Sequence, residues 1–565
     1  MEVQIAIERY LLRCGFTADL KSGSEGGRVF RGVLDRAGID PIMVLIWIYD
    51  WSLSKYPVIY LKEGERYYNT VSAHINWDRS LCYIAPGEVV LNAFAPESAI
   101  ELCLETASRL ISRFDACDPT LLTDYRDEFN AYWSNDRSRI YAVDGLVKSH
   151  YHLHIDNVKE RGVWLVSPNR KEHNHLYEYF SNGNECFTAF SGAFVITSEE
   201  NWPKDIKLPL PENLKEFLEW VRINSPKSLL SLVRLLSLSI FWERAYPTVI
   251  FKTQNHSLAA IFKLDMEFIE SKKLTVGSLH ALGGFRLYVD GNPLVKLPMI
   301  RCNVEDASVD AVYARNGSPS FQGKNILVIG AGSIGGFLVE SLAMVGAGLE
   351  EGCITIIDED YLEIGNLTRH VLGVDDLNRY KSEALQEKIE REMPYTGING
   401  IVGDAQQNLN FEYDMIIDAT GQEAFSRWLN REHLSHLMKG GNTPILYAWL
   451  EGEGTAWRTL LVDSLDDHAC WECLYIHGKD GDRALRFPHS NEPVNYRHVG
   501  CKTIVPYAAT AAMQAAALAC EAAVDWYQGQ PSPRFRGGHR SGRVYEAFSN
   551  RDLEKQEGCL ACSKT

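Results

Sequence analysis

Residues Asn325–Gly336, NILVIGAGSIGG, run an apolar strand straight into a string of glycines: Gly330, Gly332, Gly335 and Gly336. A second apolar strand, Cys353–Ile357 (CITII), follows and ends in Asp358-Glu359-Asp360. Strand, glycine turn, helix, strand and acid in that order make the nucleotide-binding half of a doubly wound parallel sheet. Glycines without a Cβ let the N–H groups of a helix N-terminus approach a phosphate, and Asp358 is placed to bond a ribose hydroxyl. Taken alone, the motif serves NAD and ATP equally.

The residues that follow separate the two. Asn366, Arg369, Lys381 and Asp418 place an amide, a guanidinium, an ammonium and a carboxylate after apolar strands, at the phosphate end. A nicotinamide needs an apolar slot, whereas these groups suit a triphosphate and its metal. Arg369 and Lys381 can neutralise phosphate charge, and Asp418 at a strand terminus can hold Mg²⁺. With the glycine turn, this series resembles the ThiF/MoeB and ubiquitin-activating adenylating enzymes, from about Arg315 to the end of the chain. The resemblance implies an ATP site made by Gly330, Gly332, Gly335, Asp358, Asn366, Arg369, Lys381 and Asp418, at which a protein C-terminus becomes an acyl-adenylate. It also implies a homodimer in which an arginine of one protomer approaches the other's ATP; Arg315 is the candidate.

Two C-x-x-C pairs, Cys470/Cys473 and Cys559/Cys562, can close one four-sulfur structural Zn²⁺ site that staples the tail back onto the domain. A redox pair and accidental spacing are the alternatives. Between the pairs, Cys501 precedes an alanine-rich helix over 508–526, and Lys502 and a helix N-terminus both favour its thiolate. In the activating family a loop at this position carries the cysteine that takes the acyl group from the adenylate, so Cys501 is the expected acceptor. Cys520, inside the helix, reads as a small buried residue.

The N-terminal third, 1–120, carries a nine-residue apolar run, Pro41–Tyr49, too short to span a membrane and suited to a buried strand. A proline-bearing strand at 56–62, the triplet His74-Ile75-Asn76, and Cys82 come next, and Pro96–Phe114 has helical periodicity. This order resembles a ubiquitin-conjugating α+β fold, with Ile75 where the family has proline. The resemblance implies that Cys82 carries an acyl group as a thioester, that Asn76 supports the oxyanion, and that a lysine amine attacks. His74 reads as a structural hydrogen-bonder rather than a base.

Composition sets the limits. A chain of 565 residues holds about three domains. Thirteen cysteines with no signal segment point to reduced thiols in the cytoplasm. No membrane span is expected, and a net charge of −17 argues against non-specific nucleic-acid binding. Arg534, Arg536, Arg540 and Arg543 cluster, and read as a solvated loop or partner contact. Residues 121–314 say least and read as a connecting domain: apolar strands at 162–166 and 193–196, a Leu-rich helical stretch at 214–243, and strand-like alternation over 274–304. His152, His154, His173 and His175 read as surface histidines rather than metal ligands. The domain from 315 to 565 is then the adenylation unit.

A conjugating-like domain ahead of a ThiF-like domain resembles the fusion enzymes of CBASS antiphage operons, which attach the C-terminus of a cGAS/DncV-like nucleotidyltransferase (CD-NTase) to target amines. By that likeness the chain primes a CD-NTase for antiviral defence. The alternatives are an activating–conjugating fusion serving a ubiquitin-like protein, a sulfur-carrier adenylyltransferase, and a catalytically idle scaffold.

Overall fold

The computed structural model describes residues 2–563 apart from 19–26, 36–39, 69–72, 77, 86, 136–138, 143–144, 156–162, 168–189, 206–208, 244–245, 265, 315–316, 318–319, 465–467, 478–482, 489–495, 500–501 and 541–548. The described residues form two compact units, one up to Ala307 and one from Ser308 onward.

In the first unit, strands β1 (Thr17–Ala18), β2 (Arg28–Leu34), β3 (Ile42–Ile48) and β4 (Val58–Leu61) lie side by side in chain order, all antiparallel. Strand β3 alternates: Ile42, Val44, Ile46 and Ile48 are fully covered, while Met43, Leu45 and Trp47 are half covered. The sheet therefore buries one face completely, as period-2 side chains dictate. Its core is completed by Ile7 and Leu11 of helix Glu2–Arg13 and by Ile100, Cys103, Leu104 and Ile111 of helix Pro96–Asp115. Pro96 opens that second helix at a position where its missing N–H costs nothing.

Next comes a closed seven-stranded barrel. Its strands are β5 (Arg139–Ala142), β6 (His150–Ile155), β7 (Val163–Ser167), β8 (Phe190–Thr197), β9 (Thr248–Lys252), β10 (Ser257–Phe262) and β11 (Met299–Asp306), ordered β10-β11-β5-β7-β6-β8-β9. Tyr151, Val166, Ala193, Ile250, Ala259, Ile261 and Cys302 fill the interior. Outside, Val249, Phe251, Leu258, Ala260 and Phe262 share a core with helices Leu214–Asn224 and Pro226–Leu235. Burial on both faces explains why β10, SLAAIF, shows no alternation to read. Strand-like alternation over 274–304 is realised only from Met299; before it lie helix Val276–Leu282, opened by a Thr275–Ser278 capping box, and two 3₁₀ turns. Side-chain capping there outweighs a weak alternating pattern. His173 and His175 lie outside the described residues.

The second unit is a seven-stranded sheet: β12 (Asn325–Ile329), β13 (Cys353–Ile357), β14 (Ile398–Ile401), β15 (Met415–Asp418), β16 (Ile445–Glu451), β17 (Ala456–Val462) and, after two small ribbons, Phe535–His539. The ribbons are β18 (Tyr475–His477) with β19 (Arg483–Leu485), and β20 (Arg497–Val499) with β21 (Lys502–Ile504), so Phe535–His539 is β22. The order is β14-β13-β12-β15-β16-β17-β22, parallel from β14 through β16 and antiparallel beyond. The chain leaves β12 toward β13 on one side and returns to β15 on the other, which opens a crevice at the carboxyl ends of β12 and β15. Helix Ser333–Met344 packs with helix Ala509–Tyr527, whose buried face is seven alanines and Cys520. Small side chains on one of two facing helices let them pack closely.

Two of the clustered arginines, Arg534 just before β22 and Arg536 within it, are tied down. Arg534 pairs with Asp463 and Asp552, and Arg536, almost fully buried, pairs with Asp525. Where a solvated loop or partner contact is expected, 535–539 form an edge strand; Arg540 follows it, exposed, and Arg543 lies outside the described residues. No helix among the described residues is long and apolar enough to cross a membrane.

Candidate functional site

A cavity of about 420 Å³ opens in the crevice of the second unit. Gly332, Ser333 and Ile334 after β12 form one wall, Asp360, Tyr361, Glu363, Asn366, Arg369, His370 and Lys381 after β13 another, and Ala419, Thr420 and Gly421 after β15 the third. Leu450, Gly452, Val505 and Tyr507 close it. The turn can exist only with glycine at two places. Gly330 has φ +92°, with Thr420 3.2 Å from where a Cβ would sit. A Cβ on Gly335 would lie 1.8 Å from the Gly330 carbonyl oxygen.

Of the residues singled out in the sequence, Gly332, Asn366, Arg369 and Lys381 meet on the cavity wall. Arg369 holds its guanidinium 5.0 Å from the Tyr507 ring centroid, and its Nε is buried without a hydrogen-bond partner. Lys381 is buried, and its Nζ donates to Asp360 at 2.9 Å. Asn366 turns its amide oxygen to the Glu363 N–H, capping the short turn that carries it.

Asp358 and Asp418 lie beneath the wall. Asp358 accepts the Ala331 N–H at 2.6 Å and the Asp360 N–H at 2.7 Å, so it pins the glycine turn to the loop after β13. Burial raises its carboxyl above the ordinary range, against the pull of Lys381 and those two N–H groups. Asp418 is fully buried, accepts the Thr420 N–H and hydroxyl on one oxygen and the Ser426 hydroxyl on the other, and is likewise raised by burial.

Reasoning from sequence overlooked Asp360, Glu363, His370, Thr420 and Tyr507. Each sits within a few residues of a quoted motif, which is the signal that could have found it. His370 Nε2 meets the Ala331 carbonyl at 2.6 Å and Nδ1 accepts the Leu372 N–H, which fixes one neutral tautomer; burial lowers its pKa. Tyr507 lies 3.1 Å from the Ser333 hydroxyl through its own. Cys501 and Arg315 lie outside the described residues.

The four cysteines of the two pairs converge. Cys470, Cys473, Cys559 and Cys562 are buried with their sulfurs all within 4.8 Å of one another. A tetrahedral ion with metal–sulfur bonds of about 2.3 Å sets sulfurs about 3.8 Å apart. Observed separations are 3.9 Å for Cys470–Cys473 and Cys470–Cys559, and 3.4 Å for Cys473–Cys562, far from the roughly 2.05 Å of a disulfide. The Gln556 N–H and the Asn430 amide point at Cys473 and Cys470, as second-sphere donors to thiolates do. The donor set and its size fit a metal ion.

In the first unit, residues 74–76 and 80–82 form the two arms of a tight turn, joined by an Ile75–Leu81 bridge and by the Cys82 N–H to the His74 carbonyl at 2.8 Å. That turn is why the His-x-Asn triplet and the cysteine sit six to eight positions apart in sequence and side by side in space. Asn76 donates its amide to the Ser80 hydroxyl at 2.9 Å. His74, at φ +64°, is held at its N–H by the Tyr132 hydroxyl and at its ring by Asp124, 3.1 Å away. Cys82 is half-buried; burial first, and the charge of Glu128 second, raise its thiol pKa.

With this geometry in place, the class follows: residues 311–560 match the ThiF family, and the C-terminal region carries a ThiF domain on its doubly wound sheet. The chain as a whole is similar to proteins named ATP-dependent ubiquitin transferase-like protein Cap2. One from Pseudomonas aeruginosa is 26% identical over 470 residues, 82% of this chain and 81% of that protein. Another, from Vibrio cholerae, is 24% identical over 602 aligned positions, covering 97% and 96%. A crystal structure of E. coli MccB with ATP superposes with a TM-score of 0.33 at 18% identity, over 45% of this chain and 69% of that one.

Proposed function

We propose that this protein is an ATP-dependent transferase that adenylates the C-terminal carboxylate of a protein, carries the acyl group as a thioester on Cys501 and then Cys82, and delivers it to an amine. The observation that carries the proposal is the cavity wall: a glycine-bounded helix N-terminus facing Arg369, whose buried Nε lacks a partner, and Lys381. Such a wall is built for phosphate.

On this reading the Gly332–Ile334 N–H groups, Arg369 and Lys381 bind phosphate oxygens, and Asp358 acts from beneath by holding the turn. A carboxylate oxygen of the substrate C-terminus attacks the α-phosphorus and pyrophosphate leaves. Asp418, in exchange for the Ser426 hydroxyl, and Asp360 would hold Mg²⁺, which when bound would supply charge neutralisation for the triphosphate. Cys501 thiolate attacks the acyl carbon and AMP leaves, then Cys82 takes the acyl group by thioester exchange. Both thioesters keep the activation that ATP supplied, and the amide product releases it. In this reading the four-cysteine cluster holds structural Zn²⁺, the enzyme works as a homodimer, and its substrate is a CD-NTase C-terminus in CBASS defence.

The test is ATP–pyrophosphate exchange and non-reducing electrophoresis of the full chain with a co-encoded CD-NTase. The expected result is ATP-dependent, thiol-sensitive adducts. Exchange with no need of Cys82 for product would instead favour a sulfur-carrier activator, and neither exchange nor adduct a scaffold.

A further inference from the structure

Ala331 stands in the glycine turn, and the peptide groups on its two sides are held by different residues. Its N–H donates to Asp358 at 2.6 Å, which fixes the peptide between Gly330 and Ala331. Its carbonyl accepts from His370 Nε2, also at 2.6 Å, which fixes the peptide between Ala331 and Gly332. A trans peptide is planar, so a carbonyl turned to His370 sends the Gly332 N–H out along the opposite edge. Gly332 lines the nucleotide cavity and caps helix Ser333–Met344, the place where backbone N–H groups meet an anion.

Local backbone preference does not keep that peptide the right way round. Turning it over rotates ψ of Ala331 and φ of Gly332 by about 180°, as between type I and type II turns. Gly332 has φ −76°, so the flip carries it into the positive region, which glycine enters without strain. A Cβ at Gly332 would meet no atom within 4 Å, so packing does not oppose the flip either. The flipped turn would offer a phosphate the Ala331 carbonyl in place of an N–H, exchanging attraction for repulsion.

The ring that opposes the flip is itself locked. His370 is buried, and its Nδ1 accepts the Leu372 N–H at 3.1 Å, so its proton stands on Nε2 and faces Ala331. Burial, with Lys381 and Arg369 as neighbouring cations, lowers its pKa and favours this neutral form. Room for the ring is made on the helix. A Cβ at Gly336 would lie 3.0 Å from Val371 and 3.4 Å from His370, closer than side chains ordinarily approach. Gly336, the glycine that phosphate binding leaves without a role, is thus the seat of the loop that carries His370.

We infer that His370 is a positioning residue of the nucleotide site: its Nε2–H holds the Ala331–Gly332 peptide so that the N–H, and not the carbonyl, faces the phosphates. The inference rests on the reading of the cavity as an ATP site.

The experiment uses two amide isosteres. The amide nitrogen of Gln falls near the place of imidazole Nε2, whereas the amide of Asn reaches only to the place of Nδ1. His370→Gln therefore keeps the donor to Ala331, and His370→Asn loses it. Parent and variant full chains are titrated with MgATP by calorimetry, and their thermal midpoints are compared. His370→Asn should bind MgATP about 30-fold more weakly, as expected for the loss of one hydrogen bond to a charged oxygen, with its thermal midpoint within about 5 °C of the parent. His370→Gln should stay within threefold of the parent, which a role of the ring in packing, or of Nδ1 at Leu372, would not allow. His370→Leu, which fills the space of the ring and donates nothing, gives the same reading where His370→Asn does not fold. Binding by His370→Asn or His370→Leu within threefold of the parent, or by His370→Gln as weak as theirs, overturns the inference and leaves the nucleotide reading standing. A parent that binds no MgATP removes that reading and the inference with it.

Discussion

The nucleotide cavity and the Cys82 site are built in opposite ways. The cavity draws its walls from loops that directly follow three adjacent parallel strands, so each contribution is a short motif ending a strand. The Cys82 site takes its nucleophile and His74 from one tight turn but Asp124, Glu128 and Tyr132 from helices that belong to the barrel's core. A site made at strand ends depends on local backbone; a site made at a junction depends on packing at long range. Damage should therefore spread differently in the two.

The largest expected effect tests whether the two sites are successive stations. Cys82→Ser should abolish conjugation while leaving ATP–pyrophosphate exchange within twofold, and Cys501→Ser should leave exchange but stop ATP-dependent charging of Cys82, both read by non-reducing electrophoresis. Conjugation at the parent rate by the Cys82 variant would reduce the N-terminal unit to a binding module. Second in size, Arg369→Ala or Lys381→Ala should lower exchange by about 100- to 1000-fold, because each removes a preorganised cation from developing phosphate charge. Loading of Cys82 from a small-molecule thioester, and its discharge, should be untouched by either, and a loss there would end the separation drawn above.

A smaller effect concerns the cysteine cluster. Full chain purified under reducing conditions should carry one zinc per protomer by elemental analysis. Cys559→Ser should lose it and lower the thermal midpoint of the second unit, since metal binding is folding energy at such a site. A metal content near zero would remove the zinc assignment.

The smallest concerns pH. His433 is wholly buried, its Nε2 bonded to the Thr443 carbonyl and its Nδ1 without a partner, and burial brings its pKa down to about 4. A lowered histidine binds its proton more readily when unfolded. Its neutral form therefore stabilises the fold above the ordinary pKa of about 6.5, and that share is lost as pH falls toward about 4, a total of roughly 3 kcal/mol. His370 is lowered in the same direction. Urea midpoints of the second unit should fall between pH 7.5 and 5, and His433→Gln should flatten the slope. No change across that range would show that these rings find water.

The sequence by itself determined the doubly wound sheet, because Gly335 is demanded by the Gly330 carbonyl within the same turn and the apolar strands β12 and β13 are buried on both faces. It also determined which cysteines pair, since a C-x-x-C spacing brings two sulfurs to one point wherever the tail lies. Helix Pro96–Asp115 was legible from its period and its opening proline. The barrel was not, because strands covered inside and out leave no alternation, and the capped helix at Val276–Leu282 was hidden by a misleading one. Only the tertiary structure decided that Asp358 and Asp418 hold the cavity from beneath while Asp360 and Glu363 face it. Both pairs are acids near strand ends, and which way each points is set by the N–H and hydroxyl groups that neighbouring strands present. The Tyr132 hydroxyl that receives the His74 N–H is the extreme case: the two residues lie 58 apart in sequence. Their proximity exists because Phe129 and Trp133 must be buried against strands that come more than a hundred residues later.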